Sequence, residues 1–247
     1  MRAFQEPVIS NRLIISYSLY SSVFLFTLLT FLYFSDLYLK IGSTNFVPFL
    51  ILLICVEIIK FIYSNSTVQN STFINSGSKK WNKSKTLYDL AAGQVLSQVK
   101  LKKILKSIVL LAFSVAIFFA ISILLGAEFL AKHEETLMFS SLIVVLIFLP
   151  ICLHLGPDSL FNFLLTANPA NAFEQILFRN VQFVLVGAWF GAFVIPLDWD
   201  RPWQIWPIPC SFASILGYLI SHVVTCIQYS NMFIHKKTVN KFGKRVC

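Results

Sequence analysis

Six long apolar stretches, separated by polar segments, dominate this sequence. A helix needs about 20 apolar residues to cross the ~30 Å hydrocarbon core of a bilayer. Inside that core each backbone polar group must be paired within the chain, so an apolar stretch of this length folds as a helix. The pattern predicts an all-α fold, a polytopic membrane helical bundle that forms one domain over residues 1–247. Its transmembrane helices are predicted at about 13–35, 46–63, 104–125, 137–156, 176–196 and 207–230.

The long polar segment at 64–103 is predicted to be a basic loop. Its first half is rich in Ser and Asn, which is typical of flexible connections. Its second half carries apolar residues near helical spacing, followed by three lysines. Two interpretations stay open for this half: a short helix on the membrane surface, or a solvated loop leading into the third span.

Composition supports the membrane assignment. The chain is 57% hydrophobic and 13% charged, whereas soluble domains carry about 25% charged residues. The net charge is +9, but the basic residues flank apolar stretches and no nucleic-acid-binding motif accompanies them. The charge therefore indicates membrane topology, with lipids rather than nucleic acid as the contacting partner.

The distribution of basic residues predicts the orientation. With six spans, one side of the membrane receives seventeen of the twenty Lys and Arg residues, counting Lys60 as reaching that side by snorkelling. The other side receives Lys40, Lys132 and Arg201. The positive-inside rule then places both termini and the 64–103 loop in the cytosol. Three glycosylation sequons, at Asn65, Asn70 and Asn82, lie in this loop and are predicted to be unmodified.

Ionisable residues inside the spans are candidates for chemistry. Glu57 is conspicuous, but Lys60 lies three residues later on the same helix face, and an ion pair that snorkels towards the cytosol is favoured over a proton or substrate site. His154 and His222 are interpreted as hydrogen-bonded structural residues. No metal-binding or catalytic motif is present, so the sequence predicts no catalytic residue, no metal and no cofactor.

The segment "PLDWDRPWQIWP" at 196–207 joins the last two predicted helices. Pro196 is expected to end one helix and Pro207 to begin the next, because proline cannot continue the helical hydrogen-bond ladder but is tolerated in the first turn. A rigid hairpin at the membrane interface is favoured over a catalytic loop. Its candidate functional residues are Asp198, Trp199, Asp200, Arg201, Trp203, Gln204 and Trp206.

The preceding helix carries a small-residue face that can pack closely against another helix. The face consists of Gly187, Ala188, Gly191 and Ala192. The sequence leaves open whether the helix that packs there belongs to this chain or to a partner.

Together these residues strongly resemble the PIG-F family, the class F proteins of glycosylphosphatidylinositol (GPI) anchor biosynthesis. The resemblance is carried by "VGAWFGAFVIPLDWDRPWQIWPIPC" at 186–210 and by the Gly217-Tyr218 pair. Weaker similarity extends over about 120–220, where Glu128 stands in place of a usual proline.

The resemblance implies a multi-pass protein of the endoplasmic reticulum membrane that is not itself an enzyme. Its implied partners are the GPI ethanolamine-phosphate transferases that modify the second and third mannoses, which it would bind and stabilise. The hairpin would then face the lumen. The alternative is a lipid-handling protein that presents or translocates phosphatidylethanolamine or the GPI intermediate, with Glu57, Asp198, Asp200 and Arg201 as polar contacts.

Overall fold

The computed structural model describes residues 11–75, 87–128, 132–166, 169, 171–197 and 199–243. Its regular elements in this part are all helical, and six of the helices are long and apolar enough to cross a membrane. The α-helices are α1 Asn11–Phe34, α2 Val47–Asn75, α3 Leu87–Leu124, α4 His133–Leu155, α5 Leu160–Thr166, α6 Ala172–Val194 and α7 Ile208–Gly243. Three short 3-10 helices accompany them, at Leu37–Lys40, Thr44–Phe46 and Pro202–Gln204.

The six long apolar helices confirm the predicted fold class, and their apolar portions lie close to the predicted spans. The helices themselves run further than hydropathy indicates. The segment predicted as a loop at 64–103 is helical to Asn75 and again from Leu87, where α3 continues without a break into the third span. The second half is therefore neither a separate surface helix nor a loop. Hydropathy marks only the part of a helix that needs an apolar surface, and helical hydrogen bonds can continue beyond it.

Helix α4 lies at the centre of the bundle and α3 at its edge. In the spanning windows, 78% of α4 is buried against 11% of α3. Helix α4 contacts α2, α3, α6 and α7, which agrees with an apolar surface on all its sides. Because α3 packs mainly against α4, most of its surface is left for lipid or a partner.

Helices α6 and α7 form the most extensive helix pair. Their connection is the 196–207 hairpin, so this pair positions the candidate site. Helix α1 packs on the other side of α7, which makes α7 the second central helix of the bundle.

Candidate functional site

The hairpin begins and ends where its prolines predict. Helix α6 ends at Val194, two residues before Pro196, and α7 begins at Ile208, directly after Pro207. Between them Asp200 adopts a left-handed backbone conformation with φ 47°, which aspartate tolerates better than most residues. The Pro202–Gln204 3-10 helix follows. The connection is therefore a tight, locally determined turn.

Gln204 holds the hairpin together from inside. Its side-chain nitrogen Nε2 donates hydrogen bonds to the carbonyl oxygen of Val194 at 2.9 Å and to that of Leu197. Val194 is the last residue of α6 and Leu197 lies three residues beyond it. Their carbonyls also accept from the backbone N–H groups of Leu197 and Trp199, so Gln204 adds a second donor to each. Gln204 is only 8% exposed, so it serves as an internal brace rather than as a contact surface.

Trp206 attaches the hairpin to the central helix α4. Its indole Nε1–H donates to Thr136 Oγ1 at 3.1 Å, and its ring packs edge-to-face on Phe139 with centroids 5.2 Å apart. For Trp199, Trp203 and Trp206 the sequence alone predicts a position at the membrane interface, with the indole ring buried and its N–H in water. The structure corrects this for Trp206, because the fold supplies a protein acceptor at Thr136.

Three of the remaining candidate residues lie exposed at the tip of the hairpin. Trp199 is 56% exposed, and Asp200 and Arg201 are exposed as well. Trp203 is half-buried against the core, and its ring lies 6.1 Å from that of Trp199 in an edge-on arrangement. Asp198 lies outside the described residues. An aromatic and charged surface is thus presented on a braced turn.

The small-residue face of α6 divides between two environments. A Cβ added to Gly187 would lie 2.3 Å from the carbonyl oxygen of Ala213, and one added to Gly191 would lie 2.4 Å from that of Pro209. Both contacts are with the backbone of α7 in the same chain. Ala188 and Ala192 line a cavity beside α6 instead.

A buried polar cluster lies deeper in the bundle. Lys60 Nζ is 2.7 Å from Glu57 Oε1, and these side chains are only 7% and 5% exposed. Tyr218 of α7 donates its hydroxyl to the same carboxylate oxygen at 2.9 Å. The ring of Tyr17 from α1 lies 4.8 Å from the ammonium. The ion pair predicted from the i, i+3 spacing is present. The prediction that Lys60 extends to the cytosolic surface is wrong, because α1 and α7 enclose its side chain.

His222 completes this cluster in an unexpected way. Its ring centroid lies 4.7 Å from that of Tyr218 and 5.9 Å from that of Tyr17. Neither ring nitrogen has a hydrogen-bond partner among the described residues, so in this part of the chain its contacts are with aromatic rings and not the predicted hydrogen bonds. The sequence singles out Tyr218 only as part of the Gly217-Tyr218 pair. Its contact with Glu57 could not be predicted, because the two residues are 161 positions apart.

The described residues contain no group of three or more His, Cys, Asp or Glu side chains that could hold a metal ion. Four cysteines, at 55, 152, 210 and 226, are free.

Six long apolar helices, with α4 at their centre, define a multi-pass helical membrane protein. The family model for "GPI biosynthesis protein family Pig-F" matches residues 18–226. This range includes most of the six spans and the whole hairpin. The chain therefore belongs to the Pig-F family.

Several curated proteins are similar to the chain. The GPI ethanolamine phosphate transferase, stabilizing subunit, of Mus musculus is 32% identical over 130 residues, 51% of this chain and 58% of that protein. Its counterpart in Homo sapiens is 34% identical over 112 residues, which are 44% of this chain and 50% of that protein. The glycosylphosphatidylinositol anchor biosynthesis protein 11 of Debaryomyces hansenii is 38% identical over 120 residues, which are 47% of this chain and 50% of that protein. The chain thus spans about half the length of the curated relatives it matches. No solved structure matches it.

Proposed function

We propose that this protein is a non-catalytic subunit that binds and stabilises GPI ethanolamine-phosphate transferases acting on the second and third mannoses, in the endoplasmic reticulum membrane. Membership of the Pig-F family supports a place in GPI biosynthesis. The names of the mouse and human relatives, stabilizing subunits of GPI ethanolamine phosphate transferase, support the accessory role. The activity lies in the partner, and this chain contributes assembly.

The observation that carries this proposal is the construction of the hairpin. Gln204 and Trp206 hold it from inside, while Trp199, Asp200 and Arg201 are exposed at its tip. Tryptophan and arginine are the residue types that most often dominate binding energy at protein interfaces. A surface held in one conformation before binding loses little entropy when a partner docks. The hairpin therefore suits a docking element on the lumenal side.

Co-purification tests the docking role directly. The full-length chain carrying Trp199→Ala and Arg201→Ala is expressed with a tagged transferase, and the amount recovered with the tag is measured. We expect at least a tenfold loss of recovery. The matched control is Phe34→Ala, because Phe34 is also a large aromatic residue, 84% exposed, at a helix end on the predicted lumenal side. Equal recovery of the double variant and this control would contradict the docking role.

A cellular measurement tests the pathway. Cells that lack the protein should accumulate GPI precursors without terminal ethanolamine phosphate, and the wild-type chain should restore complete precursors. Complete precursors in its absence would refute the assignment, whatever the outcome of co-purification.

The alternative function, a lipid-handling protein that contacts one lipid through Glu57 and the charged residues of the hairpin, has less support. Glu57 is enclosed by Lys60 and Tyr218. Tyr218 lies ten residues beyond the start of α7, which is about 15 Å along the helix. Glu57 and the exposed Asp200 and Arg201 therefore do not form one polar site.

A further inference from the structure

A cavity of about 620 Å³ lies between α3, α4 and α6, directly beneath the hairpin. Its walls are mainly apolar, with Phe118 from α3, Ile143 from α4, and Ala192 and Trp189 from α6. Trp189 is 65% exposed, so the cavity is open at its rim. The cavity exists because α3 packs on α4 and leaves the adjacent face of α6 uncovered.

The size of the cavity limits what can occupy it. An α-helix about 10 Å across that rises 1.5 Å per residue fills roughly 120 Å³ per residue, so 620 Å³ holds about five helical residues. A membrane-spanning helix needs about 20 residues, so a partner helix can cross the opening but cannot lie inside. Apolar cavities also exclude water. The cavity lies between helices that are apolar enough to cross a membrane. The apolar chains in a membrane that are thinner than a helix are the acyl chains of lipids.

One end of the cavity carries a pair of opposite charges. Glu128 and Lys132 belong to its lining, and Lys132 Nζ lies 3.9 Å from Glu128 Oε1. Both residues lie between the end of α3 and the start of α4, outside the apolar spans. A phosphate placed at this end would meet an ammonium, and a cationic headgroup would meet a carboxylate.

We propose that this cavity binds one acyl chain of a zwitterionic glycerophospholipid, with the phosphate at Lys132 and the headgroup cation at Glu128. The lipid fills the gap between α3 and α6 and supports the hairpin from below through Trp206, which also lines the cavity. This binding does not depend on a transferase partner, so it can be tested separately from the proposed function.

The test uses the full-length chain in lipid nanodiscs that contain phosphatidylcholine with a diazirine in one acyl chain. After illumination, labelled residues are mapped by mass spectrometry. We expect labels on Phe118 and Ile143, inside the cavity. Ala192→Phe should reduce this labelling at least fivefold by filling the cavity, and Val186→Phe, at an exposed position of α6 outside the lining, should not. Ala192→Leu serves the same purpose if the phenylalanine variant does not fold.

A second pair of variants tests the headgroup. Lys132→Gln should weaken labelling by the phosphatidylcholine probe severalfold, but not labelling by a diacylglycerol probe, which has no phosphate. Lys40→Gln, an exposed lysine on the same predicted side, should change neither.

Three results would overturn the proposal. One is labelling spread evenly over all lipid-facing surfaces and unchanged by Ala192→Phe or Ala192→Leu. Another is a response to Lys132→Gln that is the same for both probes. The third is a cavity filled by protein in place of lipid, which a photoreactive residue at Ile143 would reveal by crosslinking to peptide and not to lipid.

Discussion

Neutralising one member of the buried ion pair should destabilise the protein strongly. Glu57→Gln keeps the shape of the side chain and leaves Tyr218 an acceptor, but Lys60 then has no counter-charge at 7% exposure. Removing one partner of a buried pair typically costs about 3–5 kcal/mol. Lys60→Met should cost a similar amount, because it leaves the Glu57 carboxylate with the Tyr218 hydroxyl as its described hydrogen-bond donor.

The double variant Glu57→Leu with Lys60→Met separates charge burial from packing. Apolar replacement of a whole buried pair is often neutral or stabilising, so the double variant should unfold within about 1–2 kcal/mol of the wild type. Unfolding is followed by titration with a denaturing detergent in mixed micelles, and the wild type, Glu57→Leu, Lys60→Met and the double variant form a double-mutant cycle. The exposed pair Lys106–Asp158 provides the control, since exposed ion pairs are screened by water. The free energy of unfolding of the Lys106→Met variant should differ little from that of the wild type.

Two outcomes would refute this reasoning. In one, Glu57→Gln is no more destabilising than the Lys106→Met control, which would mean that Lys60 reaches water or loses its proton without cost. In the other, the double variant is destabilised by the sum of the single effects, which would mean that the side chains contribute through packing and not through their charges.

Three further predictions concern the α6–α7 hairpin. Gly191→Ala should destabilise the protein by about 1–3 kcal/mol despite alanine's higher helix propensity, because its Cβ would lie 2.4 Å from the α7 backbone; exposed Val186→Ala is the control in the same unfolding titration. Gln204→Leu should cost about 1–3 kcal/mol by removing its two hydrogen bonds to the carbonyls of Val194 and Leu197, and an unchanged unfolding midpoint would contradict the brace. Trp199→Cys and Asn65→Cys should react with a membrane-impermeant thiol reagent from opposite sides of the membrane; reaction of both from the same side would overturn the six-span orientation.

Much of the hairpin could be predicted from the sequence because its determinants are local. Pro196 and Pro207 restrict their own backbone, so the ends of α6 and α7 follow from their positions. The close contact of Gly191 is also signalled locally, since small residues at helical spacing allow backbones to approach. Its partner, α7, could not be chosen from the sequence, because a small-residue face fits any helix.

The inward-facing contacts of the site could not be predicted. Trp206 pairs with Thr136, 70 residues away, and an interfacial tryptophan looks the same in sequence with or without such an acceptor. The short helix α5 was also missed, because seven residues, Leu160–Thr166, are too few to show a periodic pattern or to span a bilayer.

By itself, the sequence determined the number of spans, the rigid turn and the family, because hydropathy, proline geometry and motif similarity belong to continuous stretches of chain. Only the tertiary structure decided that Lys60 is enclosed, that Trp206 braces α4, and that a cavity opens between α3 and α6. The physical reason is that lipid and protein are similarly apolar surroundings for a helix. Hydrophobicity therefore inserts the helices without choosing their neighbours, and close packing and a few buried polar contacts make that choice.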